Sequence, residues 1–208
     1  FDNSCSGSGA QRAFYESVKG LSGRGHHVDL YVFSTYQEKL FVVSNAAKEK
    51  FIFPIRIFYT LSMKCYFIER VVNFLRLLLY LPLLRKTSHK MAYKINEGGY
   101  DAVLINVCDI IRAPYLLRYL AIPSLFYCHA PSREANEPLH LLRWHRREKT
   151  HSVFTRLYQT ACLSVSHLQN AVKSYAEKKN AQEATKIIGE SYYVKEYIYK
   201  VYGVLAEV

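Results

Sequence analysis

The amino-acid sequence predicts an α/β fold in which helices flank a parallel sheet. The first observation is an alternation: short apolar runs bounded by polar residues are separated by longer stretches with helical spacing. The second is composition, because a chain of 208 residues with 50% hydrophobic residues can bury a core of its own. Glycine and proline are sparse, and no repeat is visible. We therefore expect one globular domain over residues 1–208.

The amino-terminal stretch predicts a loop, a helix and a strand, in that order. Gly7, Ser8 and Gly9 form the loop, a helix follows over residues 10–22, and a β-rich run covers 28–33. The helix is predicted because apolar residues recur at helical spacing before the stop at Gly23 and Gly25. In an α/β fold a strand should precede such a loop. We therefore expect the first strand of the sheet to be missing.

The remaining elements continue the alternation. A strand is predicted over residues 50–60 with Pro54 at an edge or bulge, and a helix over 61–96 is bent at Pro82. The later elements are a strand at 101–106, a helix at 110–120, a strand at 123–129, a helical region with breaks at 139–184, a strand at 186–191 and a helix at 193–202 closed by Gly203.

The cysteines and the apolar runs indicate the cellular compartment in which we expect the protein. The five cysteines are widely spaced with no CxxC pattern, so we expect reduced, buried side chains. The apolar run at 77–84 contains Pro82 and is too short to cross a bilayer. We therefore expect a cytoplasmic protein.

Two polar segments are predicted at the same edge of the sheet. Ligands of parallel sheets bind beyond the carboxyl ends of the strands, and both the glycine loop and the segment after the strand at 123–129 belong there. The loop at 7–9 either brings backbone N–H groups to an anion or forms a simple tight turn. His129 either hydrogen-bonds a ligand hydroxyl and stabilises developing charge, or is held by the backbone near Pro131.

Charged residues suggest further contacts. Arg133 and Glu134 are either a substrate clamp with its orienting carboxylate or a solvated ion pair. The net charge of +11 favours an anionic partner. The basic stretch at 141–156, together with Lys86, Lys90 and Lys94, suits anionic lipid headgroups or nucleic acid, or is a solvated helix surface. The four aspartates form no D-x-D pair, and no nucleophile elbow is present.

Several segments together resemble one family: the amino-terminal domain of the family-four, retaining glycosyltransferases of the two-domain GT-B fold. The resemblance lies in "SGSGAQRAFYESVKGLSGRGHHVDLYV", in "YDAVLIN" with "IPSLFYCHAPSRE", and in "IIGESYYVKEYIYKVYGV", in this order. Two departures stand out. Ser8 to Gln11 replaces the usual Gly-Gly-Ala-Glu, and Glu190 replaces a small or amide residue before Ser191.

The resemblance implies a Rossmann-like domain that forms the acceptor-side half of a GT-B enzyme. The activity it implies is transfer of a sugar from a nucleotide-sugar donor to an acceptor hydroxyl with retention of configuration. It further implies a sugar or lipid-linked acceptor, no metal, no cofactor beyond the donor, and no nucleic acid. The carboxy-terminal donor-binding domain is expected to be absent from this chain, so the fragment should be inactive alone.

The resemblance also implies roles for individual residues. His129 would be the catalytic group near the donor sugar. Donor and acceptor contacts would come from Gly7, Ser8, Gly9, Arg133, Glu134 and Ser191. An enzyme with a lipid-linked acceptor would lie at the inner face of the cell membrane, with the basic stretch as a membrane-surface contact. The alternative function is a non-catalytic α/β binding module with an anionic ligand or membrane-surface partner.

Overall fold

The computed structural model describes residues 9–33, 49–53, 66–136 and 153–208. The helices are α1 (Gly9–Gly23), α2 (Tyr66–Glu97), α3 (Arg133–Asn136), α4 (Val153–Ala181) and α5 (Tyr192–Tyr202). The strands are β1 (Asp29–Phe33), β2 (Glu49–Phe53), β3 (Val103–Ile105), β4 (Ser124–Cys128) and β5 (Lys186–Gly189). A short 3-10 helix, Tyr115–Tyr119, lies between β3 and β4.

All strand pairs within the described residues are parallel, which confirms the predicted α/β fold with helices around a parallel sheet. Strands β3, β4 and β5 form a three-stranded sheet with β4 in the centre. Strands β1 and β2 pair separately over five residues each. The arrangement is compatible with a Rossmann-like fold. The predicted strand beyond Pro54 and the proline itself lie outside the described residues.

Strand β1 contributes side chains to two hydrophobic clusters, one on each of its faces. Leu30 and Val32 pack with Phe14 and Val18 of α1. The apolar residues that recur at helical spacing in the sequence therefore lie on the buried face of α1. Tyr31 and Phe33 alternate with them and join the larger core around β3, β4 and β5. The Tyr100 hydroxyl, just before β3, donates to Asp29 Oδ2 at 2.6 Å. The start of β1 is thereby held near the start of β3.

The prediction of a helix over residues 110–120 is wrong for its first half. Only Tyr115–Tyr119 is helical, and it is a 3-10 turn that follows Pro114. Proline has no N–H to donate and disfavours helical conformation in the residue before it. Side chains of α4 hydrogen-bond the backbone before Pro114 instead. Glu177 Oε1 accepts from the Arg112 N–H at 3.2 Å, and Asn180 Nδ2 donates to the Ala113 carbonyl at 2.7 Å.

The last helix forms as its sequence predicts. The Ser191 side chain caps the amino terminus of α5 by accepting from the Val194 N–H at 3.3 Å. At the other end Gly203 has φ 74°, a left-handed conformation that glycine adopts without steric cost. Gly189 allows α5 to approach β5 closely, because an added Cβ would lie 3.3 Å from Val194 Cγ1.

The cysteine prediction is confirmed where it can be examined. Cys108, Cys128 and Cys162 are buried, and no disulfide joins them within the described part of the chain. Burial raises the pKa of the Cys128 thiol above its ordinary value, which keeps the sulfur protonated and unreactive. Cys5 and Cys65 lie outside the described residues.

Candidate functional site

Three polar side chains meet at the carboxyl edge of the three-stranded sheet. Asn106 follows β3, His129 follows β4, and Glu190 follows β5. Cys128 and Gly189 are register partners, so the residues that come next on these two strands emerge side by side. In each of these strands every second residue is buried, and the last residues, Ile105, Cys128 and Gly189, are among the buried ones. The first polar residue after each strand therefore stands at the edge.

The His129 ring is held between the other two side chains. Its Nε2 lies 3.0 Å from Asn106 Oδ1, and its Nδ1 contacts Glu190 Oε1. Asn106 Oδ1 also accepts from the Val107 N–H at 2.9 Å, which fixes the orientation of the amide. Both ring nitrogens face oxygens that accept hydrogen bonds. The ring can donate to both at once only as the imidazolium.

The three side chains differ in how far they reach solvent. Asn106 is fully buried, whereas the side chains of His129 and Glu190 are 15% and 43% exposed. A ligand arriving from solvent would therefore meet the Glu190 carboxylate first and the ring behind it. Only one oxygen of that carboxylate contacts His129, so the second retains capacity to accept a hydrogen bond.

Tyr127 completes the surroundings of the ring. Its aromatic ring lies 4.7 Å from the imidazole, edge to face, at an interplanar angle of 72°. Burial, with the negative charge of Glu190 as a smaller cause, raises the pKa of the Tyr127 phenol. The Glu190 carboxylate therefore lies close enough for its charge to act on the phenol, which is protonated at neutral pH.

A buried glutamate holds the loops behind this site. Glu177 of α4 is 1% exposed and accepts from the Arg112 N–H in the segment after β3. A backbone hydrogen bond from Ser132, in the segment after β4, reaches the same carboxyl group, and the Tyr202 hydroxyl donates to its Oε2 at 3.5 Å. Burial nevertheless raises the pKa of Glu177, because loss of solvation outweighs these hydrogen bonds.

Of the other predicted site residues, the structure describes Gly9, Arg133 and Ser191. Gly9 is the first residue of α1, and Arg133 is an exposed residue that begins α3. Glu134 belongs to α3, but its side chain lies outside what the structure describes, as do Gly7, Ser8 and residues 141–152. The Ser191 hydroxyl oxygen caps α5, which is a structural role. Contacts of these residues with a donor or acceptor stay predictions.

Sequence reasoning placed His129 at this edge and missed its partners. The ring is held by two side chains, and the alternative contact with backbone near Pro131 is not what positions its nitrogens. Asn106 and Glu190 could have been found by one signal that both share. Each is the first polar residue after a buried strand, as His129 is.

Comparison with known proteins returns no relative. No family model matches the chain, and no curated protein or solved structure matches it significantly. Within the described residues, no three His, Cys, Asp or Glu side chains are grouped so that they could hold a metal ion.

Proposed function

We propose that this chain is the acceptor-side domain of a GT-B glycosyltransferase. The reaction is transfer of a sugar from a nucleotide-sugar donor to an acceptor hydroxyl with retention of configuration. One observation carries the proposal: Asn106, His129 and Glu190 converge at the carboxyl edge of a parallel sheet, where α/β folds bind ligands. The order of the three sequence segments that resemble the family supports the same assignment.

In our proposal the Glu190 carboxylate is the group that binds the sugar. In our proposal its second oxygen accepts a hydrogen bond from a sugar hydroxyl, while Oε1 stays on His129. The buried Asn106 amide fixes the far side of the ring, so the imidazole cannot rotate away when the ligand binds. Holding the groups in place beforehand removes an ordering cost from binding and from the reaction.

The chemical step breaks the bond between the anomeric carbon and the phosphate oxygen, and the electron pair leaves with the nucleoside diphosphate. The acceptor oxygen forms its bond to the same face of that carbon, and the hydroxyl proton goes to the departing phosphate oxygen. Positive charge develops on the sugar ring during this exchange. A nearby carboxylate such as Glu190 stabilises that charge.

The leaving diphosphate is negatively charged, so nearby positive charge or N–H donors stabilise it. Gly9 opens α1, a helix of 15 residues whose amino-terminal N–H groups and dipole favour an anion. In an α/β crossover the helix runs opposite to the strand that follows it, so in our proposal this terminus lies at the carboxyl end of β1. In our proposal Gly9 lies by the phosphates, and Arg133 and Glu134 lie towards the acceptor.

The test is a transfer assay on the natural polypeptide that contains this chain, offered a panel of UDP-, GDP- and ADP-activated sugars with glycoside acceptors. His129→Ala should lower turnover by about 10²-fold or more, because the ring holds the Glu190 carboxylate that stabilises the developing charge. The variant also loses the hydrogen bond to the buried Asn106 amide, which should cost about 1–3 kcal/mol of stability, so turnover is compared at a temperature at which both proteins are folded.

Two results would contradict the proposal. One is normal turnover of His129→Ala in protein whose stability has fallen, since that assigns the residue a purely structural role. The other is absence of transfer with every donor, together with nucleotide-sugar binding that leaves the His129 ring signals unchanged in NMR spectra. The second result would favour a non-catalytic binding module.

A further inference from the structure

Helices α2 and α4 are the longest elements and lie side by side. They have 32 and 29 residues, so each extends about 45 Å at 1.5 Å per residue. Near their starts the Phe67 N–H donates to the Tyr158 hydroxyl at 3.0 Å. Near their ends both reach the 3-10 helix, where Asn96 donates to the Tyr119 carbonyl at 2.9 Å and Asn180 accepts from Arg118. The two helices therefore run in the same direction.

Only the carboxy-terminal parts of these helices belong to the core. Leu84, Met91 and Ile95 of α2 are at most 1% exposed, and Ala181 of α4 is equally buried. Among the described side chains of residues 67–79 and 153–170, by contrast, only Leu77 and Cys162 are buried. We refer to residues 67–83 and 153–168, whose described side chains are half-buried or exposed apart from Leu77, Tyr80 and Cys162, as the two-helix arm.

The two-helix arm exposes large apolar side chains. Leu79 is 78% exposed and Phe154 is 84% exposed. The other exposed apolar residues of the arm are Ile68, Leu75, Leu78, Leu83, Val153, Leu157, Tyr158, Leu163 and Leu168. On α2, Ile68, Leu75 and Leu79 are spaced so that they share one helix face. An exposed apolar surface of this extent indicates an interaction site.

The same helices carry an almost purely basic set of charges. Within the arm Glu69 is the only acidic residue, and Arg70, Arg76 and Arg156 are basic. Beyond the end of the arm, α2 continues with the exposed basic residues Arg85, Lys86, Lys90 and Lys94. From Val153 to Tyr175, α4 has no acidic residue, but it has Arg156 and Lys173. A surface that combines exposed leucines with arginines and lysines is complementary to anionic lipid headgroups.

We propose that the two-helix arm docks on the surface of a bilayer that contains anionic lipids. The exposed leucines and Phe154 enter the interface between headgroups and acyl chains. Arg156 and the exposed basic residues that follow the arm on α2 lie among the headgroups. A second copy of the chain would bring the same positive charge to the contact, so self-association is disfavoured. None of the described helices is long and apolar enough to cross a membrane. This inference does not depend on the glycosyltransferase assignment.

The test is co-sedimentation of the chain with vesicles of phosphatidylcholine alone and of phosphatidylcholine mixed with phosphatidylserine. We expect binding to the mixed vesicles, with weaker binding as salt rises. Leu79→Ser combined with Phe154→Ser should weaken vesicle binding by at least about tenfold, since both side chains lose apolar area to bury. Leu205→Ser is the matched control, because Leu205 is 79% exposed and lies outside the arm. It should bind as the unsubstituted chain does.

The arm variants should keep the melting temperature of the unsubstituted chain, because the substituted side chains are already in solvent. Vesicle binding that is equal for Leu205→Ser and for the arm double variant would overturn the proposal. Absence of binding to mixed vesicles at low salt would also overturn it. A concentration-dependent dimer that the arm variants abolish, without vesicle binding, would assign the arm to a second copy of the chain.

Discussion

His129 Nε2 lies 3.0 Å from Asn106 Oδ1, so side chains that follow two neighbouring strands share one hydrogen bond. Asn106 is fully buried and the ring is mostly buried. A hydrogen bond between buried groups is costly to break from one side, because the remaining group loses its partner without regaining water.

Asn106→Ala should lower the free energy of unfolding by about 1–3 kcal/mol, because the Val107 N–H and His129 both lose their acceptor. The measurement is urea unfolding. In a double-mutant cycle with His129→Ala, the stability lost by the double variant should be smaller than the sum of the two single losses by at least about 0.5 kcal/mol.

Ser88→Ala is the control for Asn106→Ala. Ser88 is also buried, but no described residue hydrogen-bonds its hydroxyl, so its removal leaves no group without a partner. It should cost less than Asn106→Ala. Strict additivity of the Asn106 and His129 losses would show that the contact between the two side chains contributes nothing.

Glu190→Gln should lower turnover by about tenfold or more in the natural polypeptide, since the carboxylate charge is lost while the shape is kept. The free energy of unfolding should change by less than about 1 kcal/mol, because the carboxylate is 43% exposed. A readout independent of activity is the nitrogen chemical shift of the His129 ring, which should move. Glu196→Gln, an exposed position on α5, should leave that shift in place. Unmoved ring signals in Glu190→Gln would refute the contact.

Glu177→Gln should change how stability depends on pH. Burial raises the pKa of Glu177 in the folded protein above the unfolded value of about 4.3. The folded state therefore binds the proton more tightly, and its stabilising contribution is fully present below the unfolded pKa. That contribution is lost as pH rises through the folded pKa.

The stability of the unsubstituted chain relative to Glu177→Gln should therefore fall as the pH is raised from about 4 to 7. Urea unfolding across this range is the measurement. Glu183→Gln, at an exposed position after α4, controls for removing one carboxylate. Parallel pH profiles for the unsubstituted chain and Glu177→Gln would contradict a raised pKa at this site.

Local pattern was sufficient where an element depends on its own residues. The run "SLFYC" forms β4, and "YYVKEYIYKVY" forms α5 between the Ser191 cap and Gly203. It was not sufficient for residues 110–113, because the Arg112 N–H and the Ala113 carbonyl are hydrogen-bonded by Glu177 and Asn180, more than sixty positions away in the chain. A local helical pattern does not indicate that side chains far away in the chain hydrogen-bond these backbone groups.

The sequence by itself determined that strands and helices alternate, that the sheet is parallel, and that His129 stands at a strand end. These follow from apolar periodicity and from the short range of cap and turn interactions. Only the tertiary structure decided that Asn106 and Glu190 hold the ring. Their contacts depend on the register of three strands, in which Cys128 pairs with Gly189 and Ile105 with Phe126. Such a register is set by the packing of the whole core, so no short stretch of residues encodes it.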